Sequence, residues 1–139
     1  MKDTLTNIET TGEFVCNLST WETRGAMNRT FASFPPEVNE MEMVGVKRLA
    51  SKFVNVPRVA EALVHLECSQ IKSVEISHWS DKDCYVIVLG EVVGVHIRDV
   101  MITTEGLIDV ARMQLSGRLG YNYYTVVNSS SIFTMKRPE

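Results

Sequence analysis

The chain has 139 residues, 45% of them hydrophobic, with four prolines, eight glycines and a formal net charge of −3. That is enough chain to bury one core as a single domain spanning 1–139, and too few turn formers for a disordered or collagen-like polymer. The mild negative charge gives no electrostatic drive toward nucleic acid or an anionic membrane, and no apolar run reaches the roughly 18–20 residues of a membrane span.

The pattern at the start predicts a helix over Thr4–Thr11, capped by Asp3 or Thr4, with Leu5 and Ile8 inward and Gly12 as its stop. Glu13–Leu18 reads as a strand. Ser19-Thr20-Trp21-Glu22 has capping-box spacing, so a second helix is expected to follow, with Met27, Phe31 and Phe34 on its buried face. Pro35-Pro36 ends that element. Val38, Met41 and Val44 suggest a short helical piece closed by Gly45. The stretch from Val46 to Arg58 is irregular.

The second half is mostly β. Alternation from Ala62 to Ser69 describes a half-buried strand, and His78–Asp83 a polar turn. Tyr85–Val95 is apolar on both faces and reads as the central strand, with Gly90 and Gly94 placed for a bulge or bend. Leu107–Leu115 suggests a short helix, and Tyr124–Val127 and Ser131–Met135 closing β segments. Strands with glycine bends and a few helices describe a mainly β domain with helices (α+β), built as a small barrel.

Two segments carry candidate chemistry. Lys2-Asp3-Thr4 opens a helix, where unpaired N–H groups and the helix dipole favour an anion and the lysine adds a full charge; the same residues also make an ordinary helix cap. Arg118-Leu119-Gly120-Tyr121-Asn122-Tyr123-Tyr124 brings a cation, a glycine and three aromatic rings together, suited to stacking on a planar ring or to ordinary turn packing. Metal chemistry has no support: His65 and Cys68 point to opposite faces of a strand, and no Cys-x-x-Cys or His-x-x-x-His pair occurs. No nucleophile elbow, Walker loop or Gly-x-Gly-x-x-Gly turn is present. Cys16, Cys68 and Cys84 make an odd count with no signal peptide in front, which points to reduced thiols and a cytoplasmic setting.

Taken in order, these pieces resemble a known family. Lys2-Asp3-Thr4-Leu5-Thr6-Asn7-Ile8 with Thr11-Gly12-Glu13-Phe14-Val15, Pro57-Arg58-Val59-Ala60-Glu61 leading to Leu66-Glu67-Cys68, Gly90-Glu91-Val92-Val93 with His96, and Arg118-Leu119-Gly120 with Tyr124 are similar to the ordered motifs of the flavin reductase-like, FMN-binding split-barrel proteins. The resemblance implies a split barrel that holds FMN, usually as a homodimer, and reduces flavin with NAD(P)H. It places Lys2, Asp3 and Thr4 at the flavin phosphate and ribityl end, and Arg118, Gly120 and Tyr124 near the flavin or its dimer wall. It assigns no catalytic acid or base, because hydride transfer is the chemistry of the two cofactors. The sequence departs from the family at Tyr121, which stands where the family has a second glycine. It also begins where family members already have several strands, so the expectation is a barrel without its N-terminal strands. The alternative is a non-catalytic relative that keeps the dimerising β-core and serves a structural or partner-binding role.

Overall fold

The computed structural model describes residues 3–32, 34–35, 38–77 and 84–138. Lys2 and the turn expected over His78–Asp83 lie outside the described residues.

Helix α1 (Asp3–Thr11) buries Ile8 and ends at Gly12, whose φ of 69° is the left-handed stop that a glycine adopts without strain. Strand β1 (Glu13–Asn17) follows at once. Helix α2 is short, Arg24–Arg29, and its entrance differs from the expected capping box. The Thr20 and Thr23 hydroxyls satisfy that turn instead: the Thr20 N–H donates to Thr23 Oγ1 at 2.9 Å, and the Thr23 N–H to Thr20 Oγ1 at 3.3 Å. Because α2 stops at Arg29, Phe31 loses its helical register with Met27 and is 57% exposed rather than buried. Helix α3 (Glu40–Val44) buries Val44 and closes at Gly45, again left-handed.

Strands β2 (Arg48–Leu49) and β3 (Arg58–Val59) pair with each other inside the stretch expected to be irregular. The main sheet is built on two 14-residue strands, β4 (Val64–Ser77) and β5 (Cys84–Ile97), with order β1-β4-β5 and antiparallel pairing throughout. The register slips between Glu67 and Cys68 and between Gln70 and Lys72, beside Gly94 and Gly90 respectively, as the glycines predicted.

The central strand, however, is β4 and not Tyr85–Val95. β5 pairs only with β4 among the described residues, and Tyr85, Ile87, Leu89 and Val95 are exposed along it. An apolar run on both faces is the mark of a covered strand, and within the described residues one face of β5 has no cover. β4, by contrast, is buried on both faces at its start, where Val64 and Cys68 alternate with His65 and Glu67.

A 3₁₀ turn (Asp99–Met101) and helix α4 (Val110–Met113) complete the core. Val64, Met101 and Met113 are its buried centre, with Leu18, Leu66, Ile97 and Leu115 packed around them. Helix α4 is shorter than the expected Leu107–Leu115 because Asp109 caps it, accepting from the Arg112 N–H at 2.9 Å. Strands β6 (Ser116–Arg118) and β7 (Tyr124–Val126) form a hairpin. The segment expected as a last strand, Ser131–Met135, forms none: it is exposed, and Ser131 instead closes a turn on Asn128 at 3.0 Å.

Candidate functional site

Asp3 and Thr4 begin α1 and open onto a cavity of about 410 Å³. Asn7 from the next turn of the helix, Asn39 and Glu40 from the start of α3, and Arg48 from β2 complete its polar lining. The N–H groups of the first turn of α1 have no partner within the helix and point along its axis toward its N-terminal end. Among the described residues Arg48 reaches only the exposed Glu42 carboxylate, at 3.6 Å, which leaves its guanidinium open to a ligand. The sequence did not single out Arg48. Folding brings it 44 residues back to the helix entrance (48 against 4), a closeness no local pattern reports.

Arg118, Gly120 and Tyr124 lie together on the β6–β7 hairpin. Arg118 stands opposite Tyr124 in the ladder, its guanidinium 6.0 Å from the Tyr124 ring centre and 5.9 Å from that of Phe31. Both distances are within cation–π range. Gly120 forms the hairpin turn, accepting from the Tyr123 N–H at 3.1 Å. Tyr124 lines a cavity of about 310 Å³ with Trp21, Arg24 and Met27, and this cavity shares no residue with the one at Asp3 and Thr4. Within one chain, then, the structure gathers the predicted residues into two places and not one.

Tyr121 explains its own oddity. Its φ is 57°, in the left-handed region, and its side chain is 88% exposed. The backbone there has the shape a glycine takes freely, while the ring buries little in return. Tyr121→Gly is therefore expected to stabilise the fold by about 1 kcal/mol, seen as a raised urea midpoint at unchanged slope. A lowered midpoint would mean that the ring's 6.5 Å edge contact with Tyr123 outweighs the backbone strain.

The strongest electrostatic feature lies elsewhere. Glu67 in β4 is 0% exposed, and it lies against the loop between β2 and β3. Its carboxylate accepts from the Lys52 N–H at 3.0 and 3.1 Å, from Phe53 at 2.6 Å and from Val54 at 3.2 Å. His96 in β5 donates from Nε2 at 2.5 Å, and Arg58 Nε sits 3.7 Å away. Burial by itself would raise the pKa of this carboxyl. The Lys52 and Phe53 N–H groups and His96 outweigh that and hold it at about 2, so it is ionised at neutral pH.

His65 stands opposite His96 in the ladder and is 4% exposed. Its Nε2 donates to Val59 O at 2.8 Å, which leaves Nδ1 as an acceptor with no partner among the described residues. Burial above all lowers its pKa and keeps the ring neutral. A sequence signal existed for this centre: a carboxylate and an imidazole interrupt strands that are otherwise apolar where they pair.

The first 113 residues match the flavin reductase like domain. The chain belongs to the flavin reductase-like family. An uncharacterized protein of Aquifex aeolicus is 37% identical to this flavin reductase-like chain over 124 residues, 89% of the chain and 60% of that relative. Among solved structures, nitrilotriacetate monooxygenase component B from Bacillus cereus superposes with a TM-score of 0.86 at 27% identity, over 97% of this chain and 65% of its own. The 2-nitrobenzoate 2-nitroreductase NbaA of Pseudomonas fluorescens gives 0.83 at 28%, over 98% and 64%. These matches establish the mainly β split-barrel fold with few helices. The chain spans less than two thirds of the length of each of these relatives. No helix among the described residues is long and apolar enough to cross a membrane.

Proposed function

We propose that this chain is the flavin-holding part of an oxidoreductase that binds FMN at the start of α1 and takes part in NAD(P)H-dependent flavin reduction. The observation that carries the reading is the cavity at Asp3 and Thr4, where a helix N-terminus, a hydroxyl and the Arg48 guanidinium converge. Family membership and the likeness to a monooxygenase component and a nitroreductase support a redox role.

The residues present fit the phosphate end of the cofactor. The N–H groups of the first turn and the Thr4 hydroxyl donate to phosphate oxygens, and Lys2 and Arg48 balance the dianion's charge. Asp3, an acceptor when ionised, suits the ribityl hydroxyls rather than the phosphate. The chemistry supplied by a bound flavin is acceptance of a hydride from a reduced nicotinamide nucleotide. The chain's own part is to seat and orient the group, and we assign none of its residues a proton-transfer step. The hairpin bearing Arg118, Gly120 and Tyr124 would face the flavin held by a second copy in a homodimer. The exposed apolar side of β5 is in keeping with such a pairing.

Flavin fluorescence quenching tests this. Lys2→Ala and Arg48→Gln should each weaken FMN binding about tenfold while leaving riboflavin, which lacks the phosphate, unchanged. Equal losses for both ligands would refute the phosphate assignment. A chain that quenches neither flavin would favour the non-catalytic, partner-binding alternative.

A further inference from the structure

On the side of the sheet where His65 and His96 pair lies a third cavity, of about 350 Å³. Its lining includes Arg58, His65, His96 and Arg98, and no carboxylate. Among the described residues the only acidic group in contact with these side chains is Glu67, and its oxygens are already taken by three backbone N–H groups and His96. One buried negative charge thus stands against two guanidiniums.

Neither guanidinium is used up. Arg58 is 13% exposed and gives Nε and one Nη to Ala50 O, at 3.2 and 2.7 Å; its other Nη has no hydrogen-bond partner among the described residues. Arg98 donates one Nη to Ala60 O and has no carboxylate within 4.0 Å among the described residues. A planar cation with open N–H groups at a cavity wall selects a planar or tetrahedral oxyanion.

The third wall group narrows the choice. His65 Nδ1 is buried and has no hydrogen-bond partner among the described residues, and an unmet buried acceptor costs about 1–3 kcal/mol. Closed to solvent, it takes a donor from the cavity through a bridging water. A hydrogen phosphate or a phosphate monoester carrying a nearby hydroxyl offers both oxyanion and donor, whereas acetate offers the oxyanion alone.

We propose that the cavity between Arg58 and Arg98 binds a phosphate group, with His96 and His65 completing its wall. This site is distinct from the entrance of α1: the two cavities share no lining residue. The proposal does not rest on the flavin reading.

The test uses flavin-free chain and inorganic phosphate against potassium chloride at equal ionic strength, followed by thermal unfolding. Phosphate should raise the midpoint saturably, and acetate less. Arg98→Gln should weaken the apparent affinity about tenfold or more, Arg98→Lys should weaken it less, and Lys72→Gln, exposed on β4 and lining neither cavity, should leave it unchanged. Because Arg98 is exposed, these variants are expected to fold, and circular dichroism checks that they do. Histidine ring signals in NMR give an independent readout, with His65 and His96 shifting in step with phosphate in the parent chain. Replacing phosphate by adenosine monophosphate separates the sources: an Arg98-dependent shift with both assigns a phosphate-ester site, and with phosphate alone a free-ion site. No saturable shift, or one retained in full in Arg98→Gln, overturns the proposal.

Discussion

Replacing Glu67 with glutamine is expected to destabilise the fold by about 3 kcal/mol, read as a lowered urea midpoint. The figure comes from two directions. Removing one partner from a buried, hydrogen-bonded charge pair typically costs about 3–5 kcal/mol. Here the lower end applies, because Arg58 still has Ala50 O as an acceptor. Glutamine keeps the shape and one acceptor oxygen, but it turns an NH₂ toward N–H groups that were donating to a carboxylate.

Titration gives the second route. The folded carboxyl has a pKa of about 2 against an ordinary 4.5, so the unfolded chain binds the extra proton. The stabilisation is complete above pH 4.5 and is lost as pH falls from there toward 2, again about 3 kcal/mol in all. The parent chain should therefore lose stability steeply across that window, and Glu67→Gln should lose markedly less. Parallel curves for the two proteins would show that Glu67 is not the group responsible.

The second large effect is expected at Gly94. A Cβ built there would press on the edge of the Phe53 ring, closer than non-bonded atoms approach. Phe53 is 55% exposed, so its ring can turn toward solvent while its N–H stays on Glu67 at 2.6 Å. Gly94→Ala therefore lifts the ring off β5 and loses its packing there. Overpacking costs about 1–3 kcal/mol, and relief by rotation of an exposed ring keeps it in the lower half of that range. We expect about 1–2 kcal/mol, measured by chemical unfolding. Gly117→Ala is the control: its Cβ would meet only the Thr125 Cγ2 at 3.4 Å, an ordinary contact, so it should change little. If both alanines cost the same, the close approach of Phe53 to the strand is not what position 94 requires.

Much of the architecture was readable where physics is local. The left-handed stops at Gly12 and Gly45, the strand after α1 and the bulges beside Gly90 and Gly94 all follow from backbone rules acting over a few residues. What failed was whatever depended on distant cover. Tyr85–Val95 looked central because hydrophobicity reports that a strand wants burial, not which neighbour supplies it. Phe31 looked buried because periodicity was carried past the true end of α2. Ser131–Met135 carries β-branched and aromatic residues as a strand does, yet without a partner it forms no ladder.

The sites divide in the same way. Asp3 and Thr4 were legible as a helix entrance, but Arg48 was not, because only folding brings it there. Glu67 and His96 are 29 residues apart, and their bond depends on the β4–β5 register. The Arg58 and Arg98 pair depends on it too. Tyr121 is the reverse case: the sequence flagged it by its departure from the family, and the backbone shows why glycine suits that turn.

The nest around Glu67 also sets an unequal tolerance to inherited change. Its three loop donors are main-chain N–H groups, so at Lys52 and Val54 nearly any residue but proline supplies the same bond. The acceptor is a side chain, and no other residue type offers two charged oxygens at that reach. Drift can therefore rewrite much of the loop's chemistry while the single carboxylate in the strand stays put. Lineages of this chain are freer to differ at the exposed Lys52 than at Glu67, while Val54, itself buried, keeps an apolar side chain.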